Sequence, residues 1–307
     1  MTDTSLDPVP GSGPRTPPGT GAGTAHLGDD PAAPWRRSAK PGTRGRKQGA
    51  LLRLRDEIPF RTRVVLACTG IAGLVVVWLL AAAWSSGAVV VPTPLATWNA
   101  FTDYWRSGEL STDLSASAVR VAEGYTISMV VGIVLGVAIG SFRSIEAFWE
   151  SPIGFLRYIP ATALTPLFLL WLGIDESPKI ALIIAGTVFY NILMIADVTR
   201  AVPRELITAS YTLGAGRLRV LCRVILPHSW PGIIDVARIN LAAAWLMLVV
   251  AELLAAQDGL GYRMIQSQRF LQYGRMFAIL LIFAVIGMFS DLALRGLRTL
   301  VAPWARP

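Results

Sequence analysis

The chain has 307 residues, of which 53% are hydrophobic and only 16% charged, with a mean hydropathy of +0.51 and a formal net charge of +8. Soluble proteins carry roughly 25% charged residues. Here the first 63 residues alone hold 17 of the 48 charged side chains, and the remainder is too poor in charge to clothe a globular surface in water. A soluble enzyme, a fibrous protein and a disulfide framework are excluded, the last because Cys68 and Cys222 are the only cysteines and lie far apart. An all-α, polytopic membrane protein remains.

Residues 1–50 contain eight prolines and nine glycines, a composition that buries nothing and predicts a disordered tail over 1–62. It has no apolar run followed by a small-residue cleavage site, so it does not read as a secretory signal. Arg53, Arg55, Arg61 and Arg63 abut the first apolar run. Arginines placed beside apolar runs point to membrane orientation rather than to nucleic acid.

Residues 63–304 form the expected membrane domain. Six stretches are long enough to cross a ~30 Å apolar layer: Val64–Trp84, Val121–Ser141, Pro152–Leu172, Ile180–Val198, Pro231–Ala255 and Met276–Leu294. The arginine bias places both termini inside, in the cytoplasm, although Arg263, Arg269 and Arg275 in the last outer loop run against it. The outer segment Ser85–Ser117 reads as too polar to be buried, with a helix over Leu95–Trp105. Gly124, Ser128, Gly132, Gly136 and Gly140 make a stripe at every fourth position of the second span, which predicts close packing against another helix of the same chain. Pro160 and Pro166 break the third span and free carbonyls at membrane depth. Thr162 and Thr165 add hydroxyls there, so a kinked packing helix and a pathway-lining helix both fit.

The segment Val202–Pro227 lies inside and predicts two short helices. Pro203 suits a first helical turn and Gly214 a residue just past a helix end. The second helix is expected to present Leu218, Leu221, Cys222 and Ile225 on one face and to stop at Pro227. A long loop folded into helices suggests a docking surface.

This segment resembles the coupling loop of bacterial ABC importer permeases, E-A-A-x3-G-x9-I-x-L-P. Counting back from Leu226-Pro227 puts the motif glycine at Gly214, the isoleucine position at Val224 and the E-A-A positions at Thr208-Ala209-Ser210. Only the central alanine matches, and Glu205 stands three positions early. The runs Val91-Pro92-Thr93-Pro94, Arg157-Tyr158-Ile159-Pro160, Pro166 through Ile174, and Ala251-Glu252-Leu253-Leu254 with Gly259-Leu260-Gly261-Tyr262 are similar to the nitrate/taurine/sulfonate subgroup.

The resemblance implies a MetI-like permease fold: six transmembrane helices with a cytoplasmic coupling-helix loop over 203–227. It also implies ATP-hydrolysing partner subunits, an extracytoplasmic solute-binding protein and a second permease copy. Glu205, Thr208, Ala209, Ser210, Leu213, Gly214, Ala215 and Pro227 are then the ATPase-docking residues. The chain carries no G-x-x-x-x-G-K-[ST] phosphate loop, so ATP is expected on the partner and no cofactor on this chain.

Among ionisable groups within spans, Arg238 with Asp235 three residues earlier reads as a local pair or as an attraction for an anionic solute. Asn191 and Asn240 could add donors. Together with Pro160, Thr162 and Thr165 these form the expected solute pathway. Glu252 would repel an anion and is expected to be structural or gating, while Asp197 and Asp291 are expected to cap or pair. His26 and His228 build no catalytic or metal cluster, which argues against a membrane enzyme. An ion-coupled secondary transporter, or an ABC permease for a neutral small solute, is the alternative to an importer of nitrate, taurine or a sulfonate.

Overall fold

A computed structural model describes residues 59–85 and 91–305 of the chain; the expected tail lies outside the described residues up to position 58. The described residues are helical, without strands. Helix α1 (Phe60–Trp84) starts three residues inside the expected tail. Its side chains are largely exposed, and Trp78 fastens its later half. That indole stacks on Phe277 with ring centroids 6.0 Å apart and donates its N–H to the Pro92 carbonyl at 3.0 Å.

Helix α2 (Pro94–Arg106) begins where Thr93 accepts from the Ala96 amide at 3.2 Å, with Pro94 in the first turn, where its missing N–H has no partner to lose. Gly108, at φ 76°, turns the chain into α3 (Glu109–Ser141). This helix starts twelve residues before the expected span. Asp113 and Ser117 lie in the segment read as too polar to bury, yet both are fully buried. The expectation fails because their partners are side chains and backbone amides of distant helices, which local polarity does not register.

The small-residue stripe of α3 meets α6 (Ser177–Arg200). A Cβ on Gly132 would stand 2.8 Å from Asn191 Cβ, one on Gly136 2.7 Å from the Ile192 carbonyl oxygen, and one on Gly140 2.6 Å from that of Ala196. Only glycine lets these backbones approach so closely. The stripe is intramolecular packing, as the spacing predicts. Helix α9 (Leu226–Ala255) closes the other side of α6. Val121, Tyr125, Ile183, Ala244 and Leu248 form one core of the three helices, and Val137, Ile195, Ile233 and Val236 another.

The third expected span is a bent pair. Helix α4 (Arg143–Leu156) and the stretch Ala161–Leu172, whose second part is α5 (Thr165–Leu172), meet at 79°. The break falls at Pro160, after which a single 3-10 turn leads into α5. Two short helices, α7 (Arg204–Thr212) and α8 (Arg217–Val220), join α6 to α9. At the opposite end α10 (Leu260–Arg269) leads from α9 into α11 (Tyr273–Val301). Among the described residues, five helices are long and apolar enough to cross a membrane, six with the bent pair. The apolar side chains left exposed along α1, α3 and α11 suit a hydrocarbon solvent.

Candidate functional site

The α7 end is shaped by one backbone motif. Pro203 caps α7 rather than entering its first turn. At the other end the Ala215 amide donates to the Ser210 carbonyl at 3.0 Å and the Gly214 amide to that of Tyr211 at 2.9 Å. Gly214 has φ 80°. This pair of bonds around a left-handed residue closes the helix and satisfies its last carbonyls. A Cβ on Gly214 would meet nothing within 4 Å, so the glycine answers a backbone need and not crowding.

The motif projects Leu213, 88% exposed, and Leu218, five residues on, is 73% exposed. Glu205, Thr208, Ala209, Gly214 and Pro227 are exposed, Ser210 and Ala215 half-buried. Thr208 and Ser210 turn their hydroxyls back to the carbonyls of Arg204 and Leu206 at 3.0 and 2.7 Å.

Two expectations for the second helix fail. Its buried side is Val220, Leu221, Val224 and Ile225, packed with Val202 and Ile207, whereas Leu218 and Cys222 are exposed. Nor does Pro227 stop it: Arg217–Leu253 is one continuous helical path. Both follow from a π-helical turn at Leu221–Ile225, in which the Leu226 amide reaches back to the Leu221 carbonyl. The wide turn shifts the faces and carries the chain past a proline that has no N–H to give.

At mid-span the expected polar residues come together inside the packing of α3, α6 and α9. Asn240 donates to Asn191 Oδ1 at 2.7 Å, Asn191 donates to Ser128 Oγ at 2.9 Å, and the Thr187 hydroxyl bonds the same Ser128 at 2.8 Å. Thr165 is buried and donates to the Thr162 carbonyl at 2.8 Å, while Pro160 and Thr162 are exposed. Arg238 stands apart from all of these. Its nearer partner is Asp291 of α11, at 3.1 Å, with Asp235 at 3.9 Å, so the expected local pair is a bridge between helices. Asp235 also faces Arg298 at 3.4 Å, and Asp291 faces Arg295 at 2.7 Å. Arg238, Trp245, Ser290 and Asp291 line a cavity of about 320 Å³ between α9 and α11. Asp197 pairs with Arg200 at 2.8 Å, in line with the expectation for it.

The α10 end holds a charge network that the sequence reading missed. Arg120 of α3, 4% exposed, reaches Glu176 at 2.5 and 2.8 Å, Glu252 at 2.8 Å, the Asp258 carbonyl at 3.0 Å and the Asp258 carboxylate. Lys179 adds a bond to Glu176 at 2.7 Å. The Arg120 hydrogen bonds, opposed by desolvation and helped by Lys179, hold the Glu176 carboxyl down to about 2. The first three amides of the α10 entry donate to Asp113, Ser117 and Glu252, at 3.0, 2.9 and 2.8 Å. Asp113 also takes the Tyr104 hydroxyl and Arg263, both at 2.7 Å. Burial, then that bond, pushes the Tyr104 phenol well above its ordinary range, so it stays a donor. Glu109 pairs with Arg263 and Arg275. Two of the three arginines that oppose the charge rule are thus engaged by acids of α3. The overlooked signal was the spacing: Arg120 continues the every-fourth-residue stripe toward the helix start, with Ser117 and Asp113 three and seven residues before it on the same side.

Comparison with known proteins follows the same outline. Residues 128–303 match the family model described as binding-protein-dependent transport system inner membrane component. A "Probable ABC transporter permease protein" of Brucella melitensis biotype 1 is 36% identical over 227 residues, 74% of this chain and 92% of its own length. A "Putative aliphatic sulfonates transport permease protein" of Bacillus subtilis is 35% identical over 217 residues, 71% of this chain and 79% of its own. Among solved structures, the MetNI methionine ABC transporter in inward-facing conformations aligns with a TM-score of 0.51 at 20% identity, over 64% of this chain and 96% of that one. That likeness is one of fold.

Proposed function

Because the chain belongs to the binding-protein-dependent inner membrane component family, the permease subunits of ABC transporters, we propose that its own cargo is a small organic anion of the sulfonate or taurine type. Membership itself implies ATPase and binding-protein partners. The cargo reading is supported by the name of the Bacillus subtilis relative and by Arg238 beside an interhelical cavity. In this reading the permease works as a pair of copies in the cytoplasmic membrane, with lipid against its exposed apolar helices and both termini inside. The energy comes from ATP held by the partner, since the chain has no phosphate-cradling sequence.

The observation that carries the ATP-driven mechanism is the α7–Gly214–α8 motif. A closed helix end presents Leu213 to solvent, and a continuous helical path runs from α8 into α9. A partner surface that seats Leu213 moves α9 directly. The decisive experiment is reconstitution of the complex in liposomes with the binding protein, tested on taurine, alkanesulfonates and nitrate. ATP-dependent uptake of taurine or an alkanesulfonate is expected, and uptake of nitrate alone overturns the cargo. Uptake driven by an ion gradient without the ATPase overturns the mechanism, and ATP-driven uptake only of a solute without an anionic group overturns the cargo.

A further inference from the structure

The Arg120 network divides into a sealed half and a wet half. Arg120 and Glu252 are 4% and 0% exposed, and Ser117 is fully buried. They fix α3 to the end of α9 and to the entry of α10 through bonds that water cannot replace without a large desolvation penalty. Glu176 and Asp258 are 49% and 48% exposed, and ion pairs at such positions exchange with water at little cost. Glu176 belongs to the turn between α5 and α6, which follows Gly173 at φ 84°. Asp258 belongs to the turn between α9 and α10. Both carboxylates bond the same Nη2. One guanidinium therefore joins two turns, using its rigid fork of donors.

We propose that Arg120 is the positioning residue of the α10 end: it holds the α5–α6 turn, through Glu176, against the α9–α10 turn, through Asp258, and the two turns part during each transport cycle. The bonds to Glu176 and Asp258 exchange with water, while those to Glu252 persist. The bent α4–α5 stretch is thereby tethered at its far end by a contact that opens. This inference rests on the transport reading above, and its test separates the two.

The test begins from a parent in which Cys68→Ser and Cys222→Ser remove the two exposed thiols. Glu176→Cys and Asp258→Cys are added, and the full complex is reconstituted with its ATPase and binding protein. A short thiol cross-linker with a reducible centre then ties the turns together. Before cross-linking, uptake within about threefold of the parent is expected, with faster ATP hydrolysis in the absence of binding protein because the tether is weakened. After cross-linking, uptake should fall at least tenfold and return on reduction. A static structural contact predicts no change on cross-linking, and that result overturns the proposal. So does a double-cysteine complex that assembles normally but is inert before cross-linking. If the cysteine-free parent itself shows no ATP-driven uptake, the transport reading has failed and not the inference about the turns.

Discussion

The two ends of the helix bundle are held by opposite means. At the α10 end, the buried Glu252 of α9 and the half-exposed Glu176 and Asp258 of two turns converge on the Arg120 guanidinium of α3, and side-chain acceptors take the first three amides of the α10 entry. At the α7 end, two backbone hydrogen bonds around Gly214 do the shaping, and large apolar side chains stand in solvent. The sealed Arg120–Glu252 half of the charge network specifies one geometry and resists change, because each member left alone is costly to bury. A backbone-closed helix end with an exposed apolar residue is finished only by another surface. One end thus reads as a fastening within the chain, the other as half of an interface.

The comparison breaks most completely at Gly214. Gly214→Val places a β-branched residue at φ 80°, a conformation that costs roughly 1–2 kcal/mol even without contacts. Membrane levels should hold, while co-purification with the ATPase and ATP-driven uptake are lost. Gly214→Asn, which tolerates this conformation, should keep most of both; equal behaviour of the two variants would remove the backbone argument. Gly136→Val comes next. Its side chain would sit where a Cβ already stands 2.7 Å from the Ile192 carbonyl and 2.8 Å from Ile195 Cβ. Such overpacking costs ~1–3 kcal/mol or more, so the melting temperature in detergent should fall by several degrees. An unchanged melt would refute the close approach of α3 and α6.

Arg238→Ala sharpens the comparison from the solute's side. Its removal leaves Asp291 with Arg295 and Asp235 with Arg298, so no buried acid is stranded and assembly should be intact. Uptake should drop about tenfold, corresponding to ~1.4 kcal/mol of lost attraction, with an unaltered melting temperature. A loss of assembly would make the residue structural. The smallest effect is expected from acid. Glu176 ionises in the folded protein at about 2, below its unfolded value. Its contribution is therefore complete at neutral pH and lost only as pH falls from the ordinary carboxylate range near ~4 toward that value. The difference in melting temperature between the parent and Glu176→Gln should stay constant between pH 7 and 5 and shrink below that range.

How much of this was legible depended on whether the signal was periodic. The α3–α6 contact could be read from Gly124 to Gly140, because a four-residue spacing of small side chains has one physical use between helices. The left-handed Gly214 could be read because few other residues end a helix that way. Arg120 could not be read as a junction. Its partners lie 56, 132 and 138 positions away, and local composition carries no record of pairing at that distance. The buried side of the α8 segment was misplaced for a different reason. Regular periodicity was extended through Leu221–Ile225, where the chain takes a wider turn. Arg238 was assigned the neighbour on its own helix because sequence shows only that one.

The π-helical turn has a consequence for how this protein can change. The unbroken path Arg217–Leu253 spans 37 residues, or ~55 Å at 1.5 Å per residue, so it works as a shaft with the docking loop as its handle. The extra residue in the wide turn sets the angle between handle and shaft. The wide turn absorbs one residue, so forcing Leu221–Ile225 into an ordinary helix at the same length would swing the loop by roughly 100° about the axis, pointing Leu213 at the wrong side of any partner. Loop transplants between related permeases should therefore succeed when the residue count and the wide turn are kept together and fail when only one of them is, however similar the transplanted residues are.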